Sequence, residues 1–92
     1  MRIEAFADAH RLYISIVRYP NDMGWSAKLS IGSGEGHYAS LVWIREKHAA
    51  PFCIDATAID ALNGLLALIA GTTLVIGDLH HREVSVPTDL TL

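Results

Sequence analysis

Hydrophobic and polar residues alternate over two neighbouring segments in the first half of the chain. Residues 11–19 are rich in β-branched and aromatic side chains, and successive apolar residues fall on opposite faces of a strand. In residues 25–31 the apolar side chains occupy the odd positions and the polar ones the even positions, which is typical of a half-buried strand. Between them, residues 20–24 supply Pro, Asn, Asp and Gly, which favour a turn. The pattern therefore predicts an antiparallel hairpin.

Other segments give weaker strand signals. Residues 38–44 predict a third strand, and residues 2–7 are interpreted as a first strand before the hairpin. Residues 46–52 have no period and contain a proline, so we expect a loop there. Residues 84–86 can add a strand near the end of the chain, at an edge because Pro87 follows.

A helix is predicted from residue 57 to residue 70, where large apolar residues share about half of the helical circumference. Asp55 or Thr57 can cap its start, and Asp60 completes a shortened capping box with Thr57.

The end of this helix has two interpretations. Gly71 is a natural residue to end it, which makes residues 72–76 a strand. A continuous helix to Leu79 is the competing prediction, since threonine and glycine only weaken a helix.

The chain is long enough for one domain, residues 1–92, and its 51% hydrophobic and 18% charged residues favour a packed globule. Strands followed by a helix predict an α+β fold. We expect an antiparallel sheet of four to five strands, with one main helix packed on one face.

Residues 59–77 are mostly apolar and nearly long enough to cross a bilayer, so a membrane span has to be considered. Asp60, internal polar residues and three glycines disfavour a membrane span, and no basic cluster flanks the segment. Cys53 is the only cysteine, and the acidic start of the chain does not fit a signal peptide. A cytoplasmic protein is therefore expected.

Few residues suggest catalysis or metal binding. Cys53 lies between apolar neighbours, which predicts an unreactive structural thiol. His80 and His81 are adjacent, so they rarely share one metal; a zinc site that joins one of them to His37 or His48 is the alternative. We expect no enzyme, no cofactor and no metal, with a small-ligand or metal-binding module as the alternative function.

The charge distribution points to a protein partner. The net charge of −3 disfavours nucleic acid, and residues 47–92 carry five acidic groups against two basic ones, so a basic partner is favoured. The predicted helix carries Gly64 and Ala67 on a face without Lys, Arg or Glu, which a partner or a second copy of the chain can cover. The predicted contact set combines acidic, amide and aromatic residues: Asp55, Asp60, Asn63, Asp78, Glu83, Trp43 and Tyr38.

Residues 59–68, after strands that contain Trp25 and Trp43, resemble an uncharacterised family of short bacterial domains with a few strands and a Leu/Ala-rich helix. More loosely, the chain is similar to small bacterial immunity proteins and phage-encoded inhibitors. That resemblance implies a non-enzymatic protein that neutralises a partner, a toxin or a host-defence component, by docking to it.

Overall fold

The computed structural model describes residues 1–31, 41–77 and 81–92, which form two helices and six strands. In chain order they are α1 (Ile3–Ala9), β1 (Tyr13–Arg18), β2 (Trp25–Ser30), β3 (Val42–Ile44), β4 (Phe52–Asp55), α2 (Ala58–Ile69), β5 (Thr73–Ile76) and β6 (Arg82–Ser85).

The fold is α+β and its strand pairs are antiparallel, as predicted, but the strands form two sheets instead of one. The first sheet has the order β1-β2-β4 and the second has the order β3-β5-β6. Because β1 and β4 occupy both edges of β2, β3 does not pair with β2; it pairs with β5 in the second sheet. One hydrophobic core contains residues of both sheets and both helices.

The segment at the start of the chain is a helix, so the predicted first strand at residues 2–7 is wrong. Ile3, Phe6 and Ala7 are at most 2% exposed, and their spacing places them on one side of a helix. The helix is fixed to the end of the chain: the N–H of Ile3 donates to the carbonyl of Thr91 (2.6 Å), and the N–H of Thr91 donates to the carbonyl of Met1 (2.7 Å).

The predicted hairpin is confirmed as β1 and β2. Its register pairs Ile16 with Ala27, and the N–H of Tyr19 donates to the carbonyl of Gly24 (2.9 Å) to close the turn. Asn21 and Asp22 have φ values of 59° and 58°, a conformation that these residue types tolerate best after glycine.

The predicted loop at residues 46–52 is partly wrong, because Phe52 begins β4. Pro51 lacks an N–H and stands just before the strand, and β4 pairs Cys53 with Ala27 of β2. Asp55 belongs to this strand and does not cap α2.

Thr57 caps α2, as one of the two alternatives predicted. Its Oγ1 accepts a hydrogen bond from the N–H of Asp60 (3.1 Å). The helix ends at Ile69, and Gly71 follows with φ of +74°, so the termination at Gly71 is confirmed and the continuation to Leu79 is wrong. α2 packs its buried side on the inner face of the first sheet.

The second sheet completes the core. Its inner residues are buried, and β6 lies at an edge, as the sequence predicts. The apolar stretch at residues 59–77 is divided into α2, a turn and β5, and no helix in the described part of the chain is long and apolar enough to cross a membrane.

Candidate functional site

The predicted contact residues do not form one surface. Tyr38 and Asp78 lie outside the described residues. The other five divide into two sets: Trp43 and Glu83 lie in the second sheet, whereas Asp55, Asp60 and Asn63 lie at the end of β4 and in the first half of α2.

Trp43 and Glu83 are brought together by the register of the second sheet. Both are opposite Val75 of β5, so their side chains share the outer face of the sheet. Glu83 already accepts a hydrogen bond from the guanidinium of Arg45 (3.0 Å). The Trp43 ring packs near Gly77 and lies 6.3 Å, between ring centroids, from His81. Trp43 and Glu83 therefore already have contacts with other residues of the protein.

Asp55, Asp60 and Asn63 are exposed at the start of α2. Asp55 accepts a hydrogen bond from the N–H of Ala56 (2.7 Å), and neither Asp55 nor Asp60 forms an ion pair with a described residue. Two free carboxylates beside a helix start can attract a cation, but Asp60 also satisfies the local preference for acidic residues in a first turn.

Two further acidic groups have internal partners. Asp89 lies 3.5 Å from the N-terminal ammonium group. Glu46, at the end of the first half, accepts hydrogen bonds from the N–H of Thr73 at 2.8 and 3.0 Å. This backbone hydrogen bond, aided by the charge of Arg45, lowers the pKa of Glu46 below its ordinary value. The acidic groups are thus spread over several places in the fold.

The small residues of α2 do not form a free face. A Cβ at Gly64 would collide with Sγ of Cys53, so this glycine allows α2 to approach β4 closely. Ala67 and Asp60 are exposed. The absence of a side chain at residue 64 is therefore explained by packing inside the protein and needs no second copy or partner.

Cys53 and the histidines form no recognisable chemical cluster in the described part of the chain. Cys53 is half-buried between Ala27 and α2. No group of three or more His, Cys, Asp or Glu residues lies close enough to hold a metal among residues 1–31, 41–77 and 81–92. His37 and His80, two of the predicted zinc ligands, lie outside these ranges.

An exposed apolar surface lies where the sequence did not indicate it, on the outer face of the first sheet. Four side chains form this outer-sheet patch, with exposed fractions of 46–53%: Tyr13, Val17, Phe52 and Ile54. The strand register places Val17, Ser26 and Ile54 in one row, and Ser15, Lys28 and Phe52 in the next. Among the six residues of these two rows, only Lys28 carries a charge.

Sequence reasoning missed this patch because half of it lies on β4: Phe52 was predicted in a loop, and no strand was predicted for residues 53–55. The alternation in residues 11–19 did place Tyr13 and Val17 on the face opposite Ile14 and Ile16. That signal was present in the sequence, but without β4 it described only one edge of the surface.

A second apolar surface runs along the outer edge of β1. This edge groove has a volume of about 280 Å³ and is lined by α1, β1, α2 and the last residue: Ile3, Glu4, Ile14, Ile16, Ile59, Leu62 and Leu92. Ile16, Ile59 and Leu92 are 43%, 53% and 38% exposed. The groove lies on the inner side of the sheet, so it is distinct from the outer-sheet patch.

Comparisons with protein-family models, with curated proteins and with solved structures find no match to this chain. The resemblance to bacterial immunity domains and phage inhibitors therefore stays a prediction from the sequence.

Proposed function

We propose that the protein is a non-enzymatic docking protein that binds another protein through the outer-sheet patch. The observation that carries this proposal is the exposure of four large apolar side chains on one face of a regular sheet. The face is rigid, because its strands are held by ladder hydrogen bonds and by the helix on the opposite side.

The size of the patch supports an interface. Side chains that are about half exposed contribute roughly 400 Å² of apolar surface in total, which lies in the range typical of functional patches on monomers. A stable complex needs about 800 Å² from each partner. The patch can therefore supply the apolar centre of an interface, and the hydroxyl groups of Ser15 and Tyr13 can belong to its polar rim.

The chemistry of the patch indicates the kind of partner it fits. Lys28 lies in its central row between Ser15 and Phe52. A complementary surface is apolar and carries a carboxylate that can meet the Lys28 ammonium group. This expectation differs from the basic partner predicted from the sequence, which would use the exposed carboxylates of Asp55 and Asp60.

Neutralisation of a toxin or of a host-defence component is the outcome that we propose for such docking, on the basis of the size of the chain and the sequence resemblance. The fold supplies a surface for this role. The cytoplasmic location of the protein and its bacterial or phage origin remain predictions.

Two matched double variants test the interface. Phe52→Ser with Ile54→Lys alters the patch, and Asp55→Asn with Asp60→Asn alters the acidic set without touching the patch. Each tagged protein is used to recover partners from a lysate of the source cells, and the recovered partner is then purified and titrated by calorimetry.

We expect stoichiometric binding that the patch variant loses by at least about 100-fold, as is typical of centrally placed interface residues, and that the acidic variant keeps. Binding that survives in the patch variant but is lost in the acidic variant would transfer the interface to α2. Recovery of no stoichiometric partner by the wild type would count against docking itself.

A further inference from the structure

The outer edge of β1 is open in the part of the chain that the structure describes. β1 is an edge strand of its sheet. Because the N–H of Tyr19 donates to the carbonyl of Gly24, the odd-numbered residues of β1 form the hydrogen bonds with β2. The N–H and carbonyl groups of Ile14 and Ile16 therefore point away from β2. Exposed edges are normally protected by proline, charge or a bulge, and residues 13–17 contain none of these.

We propose that β1 pairs with β1 of a second copy of the chain, antiparallel, about a two-fold axis at Ser15. The two three-stranded sheets then become one six-stranded sheet. Ile14 of each copy exchanges two backbone hydrogen bonds with Ile16 of the other, which gives four such bonds in the dimer.

The register follows from the geometry of the edge. A two-fold axis perpendicular to the sheet places the inner faces of both copies on the same side. The only registers allowed are therefore those that pair odd residues with odd ones and even residues with even ones. Centred on Ser15, the pairing places Ile14 opposite Ile16 on the inner face and Tyr13 opposite Val17 on the outer face. A shift to an axis at Ile16 places Ile14 opposite Arg18 and Ser15 opposite Val17. Only the register centred on Ser15 matches all four apolar residues with apolar partners.

The flanking surfaces add to this edge. The edge groove lies beside β1 on the inner face, and Tyr13 and Val17 lie on the outer face. Together the exposed parts of Ile16, Ile59, Leu92, Tyr13 and Val17 offer roughly 500 Å² of apolar surface per copy, against about 800 Å² in a stable interface. We therefore expect a reversible dimer, with a dissociation constant on the order of 100 μM.

A cysteine at the axis tests the register directly. In an antiparallel non-hydrogen-bonded pair the Cα atoms are about 4.5 Å apart, within the span of a disulfide. Ser15→Cys in a Cys53→Ala background should therefore form a disulfide dimer under mild oxidation. Val17→Cys in the same background is the matched control, because the two copies of residue 17 lie four residues apart along the strands, about 14 Å.

We expect the Ser15→Cys protein to cross-link at least tenfold faster than the Val17→Cys protein, and the difference to vanish in urea. Equal rates for the two cysteines would overturn the proposal, as would the absence of cross-linking at Ser15→Cys above its rate in urea.

Sedimentation equilibrium of the wild type gives an independent measurement. The dimer fraction should rise between 10 and 500 μM, on the scale set by the expected dissociation constant. Ile16→Lys, at an exposed position, should keep the melting temperature of the isolated chain but remain monomeric over this range. A monomeric wild type at 500 μM, or an Ile16→Lys variant that dimerises as well as the wild type, would refute edge pairing. Neither result depends on the docking partner, so this proposal and the proposed function can fail separately.

Discussion

Replacement of Gly64 by alanine tests how closely α2 packs on the first sheet. A Cβ at residue 64 would collide with Sγ of Cys53 and lie 3.3 Å from its Cβ, so either the Cys53 side chain would have to rotate away or the helix and β4 would have to separate. Two effects of opposite sign result. Alanine is favoured over glycine in a helix by about 1 kcal/mol, whereas overpacking of a core typically costs about 1–3 kcal/mol.

The sum predicts a net destabilisation by Gly64→Ala of about 1 kcal/mol, which corresponds to a decrease in melting temperature of roughly 4–8 °C for a domain of this size. The effect should depend on the sulfur atom. Cys53→Ala removes Sγ, so the alanine at residue 64 then fits with only a small adjustment. In that background Gly64→Ala should be neutral or stabilising by up to about 1 kcal/mol.

Urea unfolding of the wild type, the two single variants and the double variant gives the coupling between the two sites. We expect a coupling free energy of about 1–2 kcal/mol, favourable in the double variant. Ala67→Gly, at an exposed position on the same helix, is the control for helix propensity alone. If Gly64→Ala stabilises the protein in both backgrounds, with no coupling to Cys53, then α2 does not pack against β4 as described.

Three further predictions concern the cap of α2, the carboxylate of Glu46 and the hydrophobic core. Thr57→Ala removes the acceptor at the start of α2 and should lower the free energy of unfolding by about 1 kcal/mol in urea, whereas Thr57→Ser should stay near the wild type; equal losses would exclude a cap. Since the pKa of Glu46 is lowered by the N–H of Thr73, the stability lost in Glu46→Gln should be fully visible above about pH 5 and should shrink as pH falls through the folded-state pKa; melting temperatures measured from pH 3 to pH 7 check this, and a difference that grows towards acid would contradict it. Phe6→Ala empties the centre of the α1 contact and should cost about 3–5 kcal/mol by calorimetry; a loss below 1 kcal/mol would show that α1 contributes little to the core.

Local patterns predicted the parts of the fold that local interactions determine. The alternation in residues 25–31 became β2, and the apolar arc between Thr57 and Gly71 became α2 with both of its ends. In each case the periodicity, the cap and the turn residues favour the same structure.

The remaining errors arise where a segment is short or where the choice of strand partner is made over long distances. Residues 2–7 are too few to distinguish a strand from a helix by periodicity, and their helix is decided by the burial of Ile3 and Phe6 in the core. β4 has four residues and no clear alternation, so its structure depends on pairing with β2. Since β4 occupies the edge of β2, its omission also led to the prediction of one sheet.

The candidate site could be predicted from the sequence less well than the fold, for the same reason. Charge can be counted along a chain, but whether Glu83 is free depends on Arg45, which is 38 residues away in sequence. The outer-sheet patch likewise unites Tyr13 with Phe52 only through the register of three strands. Polar residues counted from the sequence therefore overestimated the acidic surface, and the apolar surface remained unrecognised.

The two proposed interfaces share Tyr13 and Val17 but are compatible, because the dimer pairs the edge of the sheet and a partner covers its outer face. Edge pairing places β1 of each copy at the centre of a six-stranded sheet, so Tyr13 and Val17 of both copies come together on the outer face. The two patches then form one continuous apolar surface, with Phe52 and Ile54 of each copy towards its sides. A partner that covers this surface contacts both copies, and its binding energy would stabilise a dimer that is weak by itself. Mutual reinforcement of docking and dimerisation follows from the geometry of the sheet, with no change in the fold of either copy.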